Sequence, residues 1–198
     1  NSPPARYDHA MARLGNGRVL LFGGLNATKQ PTEVFSDTWL LDQSTKEWIL
    51  IVTKNFPKAR GGHSMASIGS DVLLFGGYSE IYTDFNDTWR FDQSTNEWTH
   101  IESTLISGSP NARFYHSMVG QDGYIVLFGG ASHKPLKYFA DTWIFNHTKN
   151  EWRKLLADKP HSRLSPVMSP IGEGKVLMFG GMNGHHIYTD TWIFDMYS

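Results

Sequence analysis

Residues 60–101 read RGGHSMASIGSDVLLFGGYSEIYTDFNDTWRFDQSTNEWTHI. They hold, in order, an Arg, a His three positions later, an apolar run closed by Phe75-Gly76-Gly77, an Asp87-Thr88-Trp89 and a Glu97-Trp98. The same landmarks return along the whole chain. Phe-Gly-Gly stands at Phe22–Gly24, Phe75–Gly77, Phe128–Gly130 and Phe179–Gly181, at spacings of 53, 53 and 51 residues. Asp-Thr-Trp stands at Asp37–Trp39, Asp87–Trp89, Asp141–Trp143 and Asp190–Trp192, and Glu-Trp at Glu47-Trp48, Glu97-Trp98 and Glu151-Trp152. Arg6, Arg60, Arg113 and Arg163 open the units, and His9, His63 and His116 follow three of them. From the Asp to the Trp of Glu-Trp is 11 residues in all three complete units. A period of this kind is the mark of a repeat architecture.

Each unit reads as four short strands, a to d. Strand a follows the Arg, as in His63–Ile68; strand b is the Val-rich run ending at Gly-Gly, as in Val72–Gly77. Strand c is Thr88–Phe91 and strand d begins at Glu-Trp, as in Trp98–Ile101. β-Branched and aromatic residues bounded by Gly, Asp, Asn and Ser favour strands, and no window carries a sustained 3.6-residue apolar period. Asp42–Trp48, Asp92–Trp98 and Asn146–Trp152 are variants of one c–d turn, closed by Asp, Asn, Ser and Thr side chains bonding nearby backbone. Gly15–Gly17, Gly69–Asp71, Gln121–Gly123 and Gly172–Gly174 close a–b hairpins. The expected repeats run over about 4–52, 58–105, 111–156 and 161–198 within one domain, 1–198.

Composition narrows the function. The formal net charge is −1, from 18 Lys and Arg against 19 Asp and Glu, which argues against nucleic acid and acidic membrane surfaces. There is no Cys, so a disulfide framework, thiolate metal sites and Cys nucleophiles are excluded. No stretch reaches the ~18 apolar residues of a membrane-spanning helix, and Asn1–Pro4 carries no basic and apolar leader pattern. The sequons at Asn26, Asn86 and Asn146 leave the compartment open, because two of them overlap the repeat itself.

Taken together, the Gly-Gly after an apolar strand, the downstream Trp and the opening Arg-x-x-His resemble the kelch repeat. The resemblance covers nearly the whole chain. It implies an all-β fold of kelch-type propeller blades, each repeat one four-stranded blade around a central shaft. The family has Tyr seven residues before the Trp of strand d, where this chain has Leu41, Phe91 and Phe145. The fourth repeat ends before its strand d, since the Trp expected 11 residues after Asp190 falls beyond Ser198. Four repeats with three strands in the last are therefore expected to be part of a larger ring or of an assembly, with a homo-oligomer through exposed blade edges among the possibilities.

Residues that recur from repeat to repeat are expected to be architecture: Arg6, Arg60, Arg113 and Arg163; Gly24, Gly77, Gly130 and Gly181; and, in the three complete units, Trp48, Trp98 and Trp152. Residues that vary are the candidates for a site. The resemblance implies that the b–c and d–a loops share one face at the shaft mouth, where kelch relatives bind peptides. The candidates there are Tyr78, Tyr82, His133, Lys134, Lys137, Tyr138, His185 and His186 in the b–c loops, and Tyr7, Phe114 and Tyr115 in the d–a turns. Aromatic residues are favoured anchors in interfaces. His133, His185 and His186 do not form a metal motif, since adjacent His side chains rarely converge on one ion, so neither a metal nor a cofactor is expected.

Catalysis has little support: no Gly-x-Ser-x-Gly elbow and no phosphate-cradling loop is present. Two enzyme types known on this architecture do not carry over. A copper-radical oxidase needs a Cys cross-link, and the iron-dependent specifier pattern Glu-x-x-x-Asp-x-x-x-His meets Glu33 and Asp37 but then Leu41. The expected function is a protein- or peptide-binding scaffold, not an enzyme. The alternatives are a glycan-binding or enzyme-associated propeller module, with exposed Trp and Tyr stacking on sugars, and an architectural fragment of a larger propeller.

Overall fold

The computed structural model describes residues 2–102, 108–156 and 160–197; the end expected for the second repeat, residue 105, lies outside them. The first blade consists of β1 (Ala10–Arg13), β2 (Arg18–Phe22), β5 (Thr38–Asp42) and β6 (Glu47–Ile51), with β3 (Leu25–Asn26) and β4 (Glu33–Val34) as a small hairpin in its b–c loop. The second is β7 (Ser64–Ile68), β8 (Asp71–Phe75), β9 (Thr88–Asp92) and β10 (Glu97–Ile101). The third is β11 (Ser117–Gln121), β12 (Tyr124–Phe128), β15 (Thr142–Asn146) and β16 (Glu151–Leu155), with β13 (Ala131–His133) and β14 (Leu136–Tyr138) as its b–c hairpin. The fourth is β17 (Val167–Gly172), β18 (Lys175–Phe179) and β19 (Thr191–Asp195). Every blade is an antiparallel sheet in the order a–b–c–d, the last without d. These are four successive blades of a β-propeller. Their inner strands β1, β7, β11 and β17 meet in turn.

The c–d turns form as their sequences require. Asp42 Oδ1 accepts from the backbone N–H and hydroxyl of Ser44, Asp92 Oδ1 does the same with Ser94, and Asn146 Oδ1 with Thr148. The small hairpins β3–β4 and β13–β14 were not legible as strands. They contain Asn, His and Lys and are too short to show alternation.

Strand b explains itself through its neighbours. It lies inside its sheet and is covered on both faces, so it reads as a continuous apolar run. Side chains of Val72 and Leu74 join Leu20, Phe22 and Leu40 of the first blade, while Leu73 and Phe75 join Met118, Ile125 and Leu127 of the third. The outer strand adds an interlock between blades. The Trp98 indole N–H donates to Thr38 Oγ1 (2.9 Å) and its ring stands edge-on to Phe22 (5.4 Å); Trp152 repeats both contacts on Thr88 (3.0 Å) and Phe75 (5.4 Å). The missing Tyr hydroxyl is immaterial to this contact, since Phe91 and Phe145 present rings to the same indoles at 5.2 Å.

The Gly-Gly pair makes the inner part of the seam. The second Gly N–H donates to the carbonyl of the next blade's Arg, from Gly24 to Arg60, Gly77 to Arg113 and Gly130 to Arg163, each at 2.8 Å. That carbonyl lies where a Cβ of the first Gly would stand, 2.6 Å away at Gly23 and 2.5 Å at Gly76 and Gly129. The blade-to-blade approach therefore requires Gly.

The first and fourth blades each turn an apolar face outward. Phe179 is 52% exposed, whereas Phe22, Phe75 and Phe128 at the equivalent position are fully buried; Val167 and Ile193 are exposed with it. On the first blade Met11, Ile49 and Leu50 are exposed, and Trp48 is only partly covered.

His63 and His116 are buried at the seams, edge-on to Phe22 (5.7 Å) and Phe75 (5.6 Å). Burial, reinforced by the Arg60 charge, pushes His63 down to about 3; burial and Arg113 hold His116 well below the usual range. A His with a depressed folded value binds its proton mainly in the unfolded chain. Its contribution is complete above the unfolded value near 6.5 and is lost as pH falls towards the folded one. Stability is thus expected to fall by up to about 1.4 kcal/mol per pH unit for each His below pH 6. Urea unfolding at pH 7.5 and pH 5 checks this, and in His63→Leu the slope should be shallower. Equal stability at the two pH values would contradict the assignment.

Candidate functional site

The repeated polar residues build one unit four times. Each Arg forks onto the Asp of Asp-Thr-Trp in its own blade: Arg6 on Asp37, Arg60 on Asp87, Arg113 on Asp141 and Arg163 on Asp190, at 2.5–3.2 Å. The guanidinium also donates to the carbonyl of the first Gly, at 2.8–2.9 Å. The ring two residues before the Asp lies under it at 4.0–4.1 Å, namely Phe35, Phe85, Phe139 and Tyr188. The indole of Asp-Thr-Trp closes the unit by donating to the same carboxylate at 2.6–2.8 Å. Burial alone would raise the Asp87 carboxyl; the Arg60 fork and the Trp89 indole outweigh it and hold Asp87 below the ordinary range. Charges paired in this way serve first to hold the blade together.

The same units aim the loops. The residue after each Arg pairs antiparallel with the residue after each Gly-Gly: Tyr7 with Leu25, Gly61 with Tyr78, Phe114 with Ala131 and Leu164 with Met182. The d–a turns are joined to one another as well. Gly62 N–H donates to Asp8 O (3.0 Å), Tyr115 N–H to Gly62 O (2.8 Å) and Ser165 N–H to Tyr115 O (2.7 Å). The b–c and d–a loops therefore share one face, held from blade to blade by backbone hydrogen bonds.

Most of the variable aromatic residues meet on that face, across blades one to three. Tyr78 donates to Asp8 Oδ2 (2.9 Å), Tyr115 donates to the same oxygen, and the two hydroxyls lie 3.4 Å apart. Burial and the Asp8 carboxylate push Tyr115 up to about 12 and raise Tyr78 further. Phe114 stacks on the His133 ring at 4.0 Å, and His133 contacts Tyr78 (5.3 Å) and Tyr82 (5.0 Å). Asp84 latches His133 to the second blade, accepting from its backbone N–H and bonding its Nδ1, both at 2.6 Å. Tyr78 and Phe114 are buried, so they support the face, while Tyr82 is 57% exposed and stands on it. Lys134 and Lys137 are exposed on the β13–β14 hairpin.

The remaining candidates lie outside this group. Tyr7 is exposed beside Leu25 and Asn26 on the first blade. Tyr138 reaches towards Gly184 of the fourth. His185 and His186 are exposed, and His186 stands edge-on to Tyr188 (4.7 Å).

Between the second and third blades the face opens into a cleft of about 510 Å³, lined by Tyr82, Thr83, Asp84, Asn111, Ser132, Lys134, Lys137 and Phe139 among others. Asp8 and Asp84 were missed as organisers of this region. Both depart from the repeat. Asp8 stands where the other units have Gly62, Tyr115 and Ser165, and Asp84 where they have Val34, Tyr138 and Ile187. A charge at an otherwise uncharged position of a repeat was the available signal.

One family model and two relatives place the chain among known sequences. The family model described as the KLHDC2/KLHL20/DRC7 Kelch-repeats domain matches residues 1–162. Kelch domain-containing protein 3 of Homo sapiens is 31% identical over 189 residues, which cover 90% of this chain and 48% of that protein. Adagio-like protein 1 of Oryza sativa subsp. japonica is 32% identical over 191 residues, covering 90% of this chain and 28% of its own length. The chain thus spans about half the length of the first of these relatives, or less.

Proposed function

The chain belongs to the kelch-repeat family, whose propellers are generally protein-interaction scaffolds, and from that premise we propose that it binds a protein or peptide through its b–c and d–a loops. The carrying observation is the aromatic cluster of Tyr78, Phe114, Tyr115 and His133, which ties loops of three blades into one preformed surface beside an open cleft. Pre-ordered loops lose little entropy on binding, and an exposed Tyr over a rigid base is a favoured anchor. The repeated charges are consumed by the architecture. The site's chemistry is therefore recognition, in keeping with a family that is generally non-enzymatic.

Sugar stacking has weaker support. Trp39, Trp98, Trp143 and Trp152 are buried and Trp48, Trp89 and Trp192 partly so; none lines the cleft.

Panning a displayed peptide library on the protein, with Tyr82→Ala/His133→Ala as counter-target, tests the reading. Enriched peptides should lose at least about tenfold in affinity for the double variant, as expected when an anchoring aromatic is removed. Peptides that hold both proteins equally would place binding elsewhere.

A further inference from the structure

The cleft between the second and third blades has a sign as well as a shape. Asp84 is its one carboxylate among the described lining residues, and both its oxygens are engaged by His133. Two cations stand at the cleft with no opposing carboxylate within ion-pair distance among the described residues. Lys134 lies at the turn of the β13–β14 hairpin, and the Lys137 ammonium sits 5.5 Å over the Phe139 ring. The Arg113 guanidinium stacks on that same ring at 4.1 Å, but Asp141 neutralises it. The net local charge is positive in a chain whose total is −1.

The cleft also carries an exposed aromatic ring. Tyr82 projects from a turn closed by Tyr82 N–H to Ser79 O (3.0 Å) and Ser79 N–H to Thr83 O (3.0 Å). Its φ is +56°, a left-handed conformation that a bulky aromatic rarely adopts. Ile81 beside it and Leu136 between the two lysines are also exposed. Single exposed apolar residues are ordinary, but of these three Tyr82 lines the cleft itself, beside the two lysines. Its complement has carboxylates for the lysines and an apolar side chain for the Tyr82 ring.

We propose that this cleft binds an acidic peptide segment through its side-chain carboxylates, Lys134 and Lys137 taking the charges and Tyr82 the adjoining apolar residue; this rests on the loop-face reading above. Nucleic acid would need a wider basic field than two lysines. The Asn111 amide at the cleft offers neutral hydrogen bonds to the segment.

The test uses pools of random peptides, acetylated and amidated so that only side chains carry charge. One position in each pool is fixed as Glu, Gln or Lys, and binding to the whole chain is read by fluorescence anisotropy. Glu pools should bind about tenfold more tightly than Gln pools, with the preference weakening as salt rises. Lys134→Ala and Lys137→Ala should each lose most of that preference, Lys137→Arg should keep it, and Lys134→Glu/Lys137→Glu should shift it to Lys pools. Both lysines are exposed, so unchanged unfolding midpoints are expected and would establish that the fold persists. Glu and Gln pools binding alike, with Tyr82→Ala still abolishing binding, would overturn the acidic preference and leave the loop face standing. Binding of Glu pools undisturbed by the lysine variants would overturn the site. Failure of every pool to bind would remove the loop-face reading and this inference together. A neutral peptide that binds only when its terminal carboxylate is free would reassign the lysines to that group and overturn the side-chain proposal.

Discussion

Gly76→Ala is expected to destabilise the protein by about 4 kcal/mol or more, and Gly180→Ala by only about 1–2 kcal/mol. Both glycines are the first of a Gly-Gly pair and both have φ near +70°. The dihedral cost of an L-residue is therefore common to them. What differs is the neighbour. A methyl at Gly76 would sit 2.5 Å from the Arg113 carbonyl, backbone of the next blade that also accepts the Gly77 N–H. Relieving the overlap means opening a seam whose side chains are close-packed. At Gly180 the nearest atom is the Tyr188 carbonyl at 3.6 Å, an ordinary contact. Urea unfolding of the two variants side by side measures the difference. Equal losses would mean that the outward face of the fourth blade is covered in solution, with something standing where Arg113 stands for Gly76.

That contrast shows what repetition makes legible and what it does not. The strand boundaries, the c–d turns and the Gly-Gly positions could be read because each depends on local chemistry that recurs with the period. Leu73 and Leu74 could both be seen as core, since a run of apolar residues in a central strand has no solvated face. The partner of each Arg was harder to see. Arg60 and Asp87 are 27 residues apart in sequence, and spacing alone does not say which recurring charge meets which. The rings at Phe35, Phe85, Phe139 and Tyr188 kept their place for a reason that only the guanidinium above them reveals. The loop face was legible as a place, because variable residues on a rigid frame stand out. Its internal division was not. Tyr78 and Tyr82 lie four residues apart in one loop, yet one is buried under the surface and the other projects from it. Asp84 departs from the repeat, but its partner His133 could not be read, since the contact joins neighbouring blades whose loops differ in length and type.

The strongest case of equal sequence and unequal environment is the outer-strand Trp. Trp98→Ala is expected to cost about 3–5 kcal/mol, the range for emptying a buried aromatic site, whereas Trp48→Ala should cost roughly half as much because its ring is already partly solvated. The two residues end near-identical turns, Asp-Gln-Ser-Thr-Lys-Glu-Trp48 and Asp-Gln-Ser-Thr-Asn-Glu-Trp98. Trp98 has Phe22 and Thr38 of the preceding blade beneath it; Trp48 has no described blade on that side. Part of the Trp98 loss is polar. Removing the indole leaves Thr38 Oγ1, on a residue that is 2% exposed, without its donor, and an unpaired buried polar group costs about 1–3 kcal/mol. A double-mutant cycle separates the two parts. Thr38→Val alone should destabilise by about 1–2 kcal/mol, because the indole N–H is then orphaned, and in a Trp98→Phe background the same change should be close to neutral. A coupling near zero would show that the hydroxyl does not hold the indole and that the interlock is apolar packing alone. A Trp48→Ala loss equal to that of Trp98→Ala would show the first blade's outer face to be covered as well, and the fourth-blade result from Gly180→Ala would then say whether the two faces are covered together.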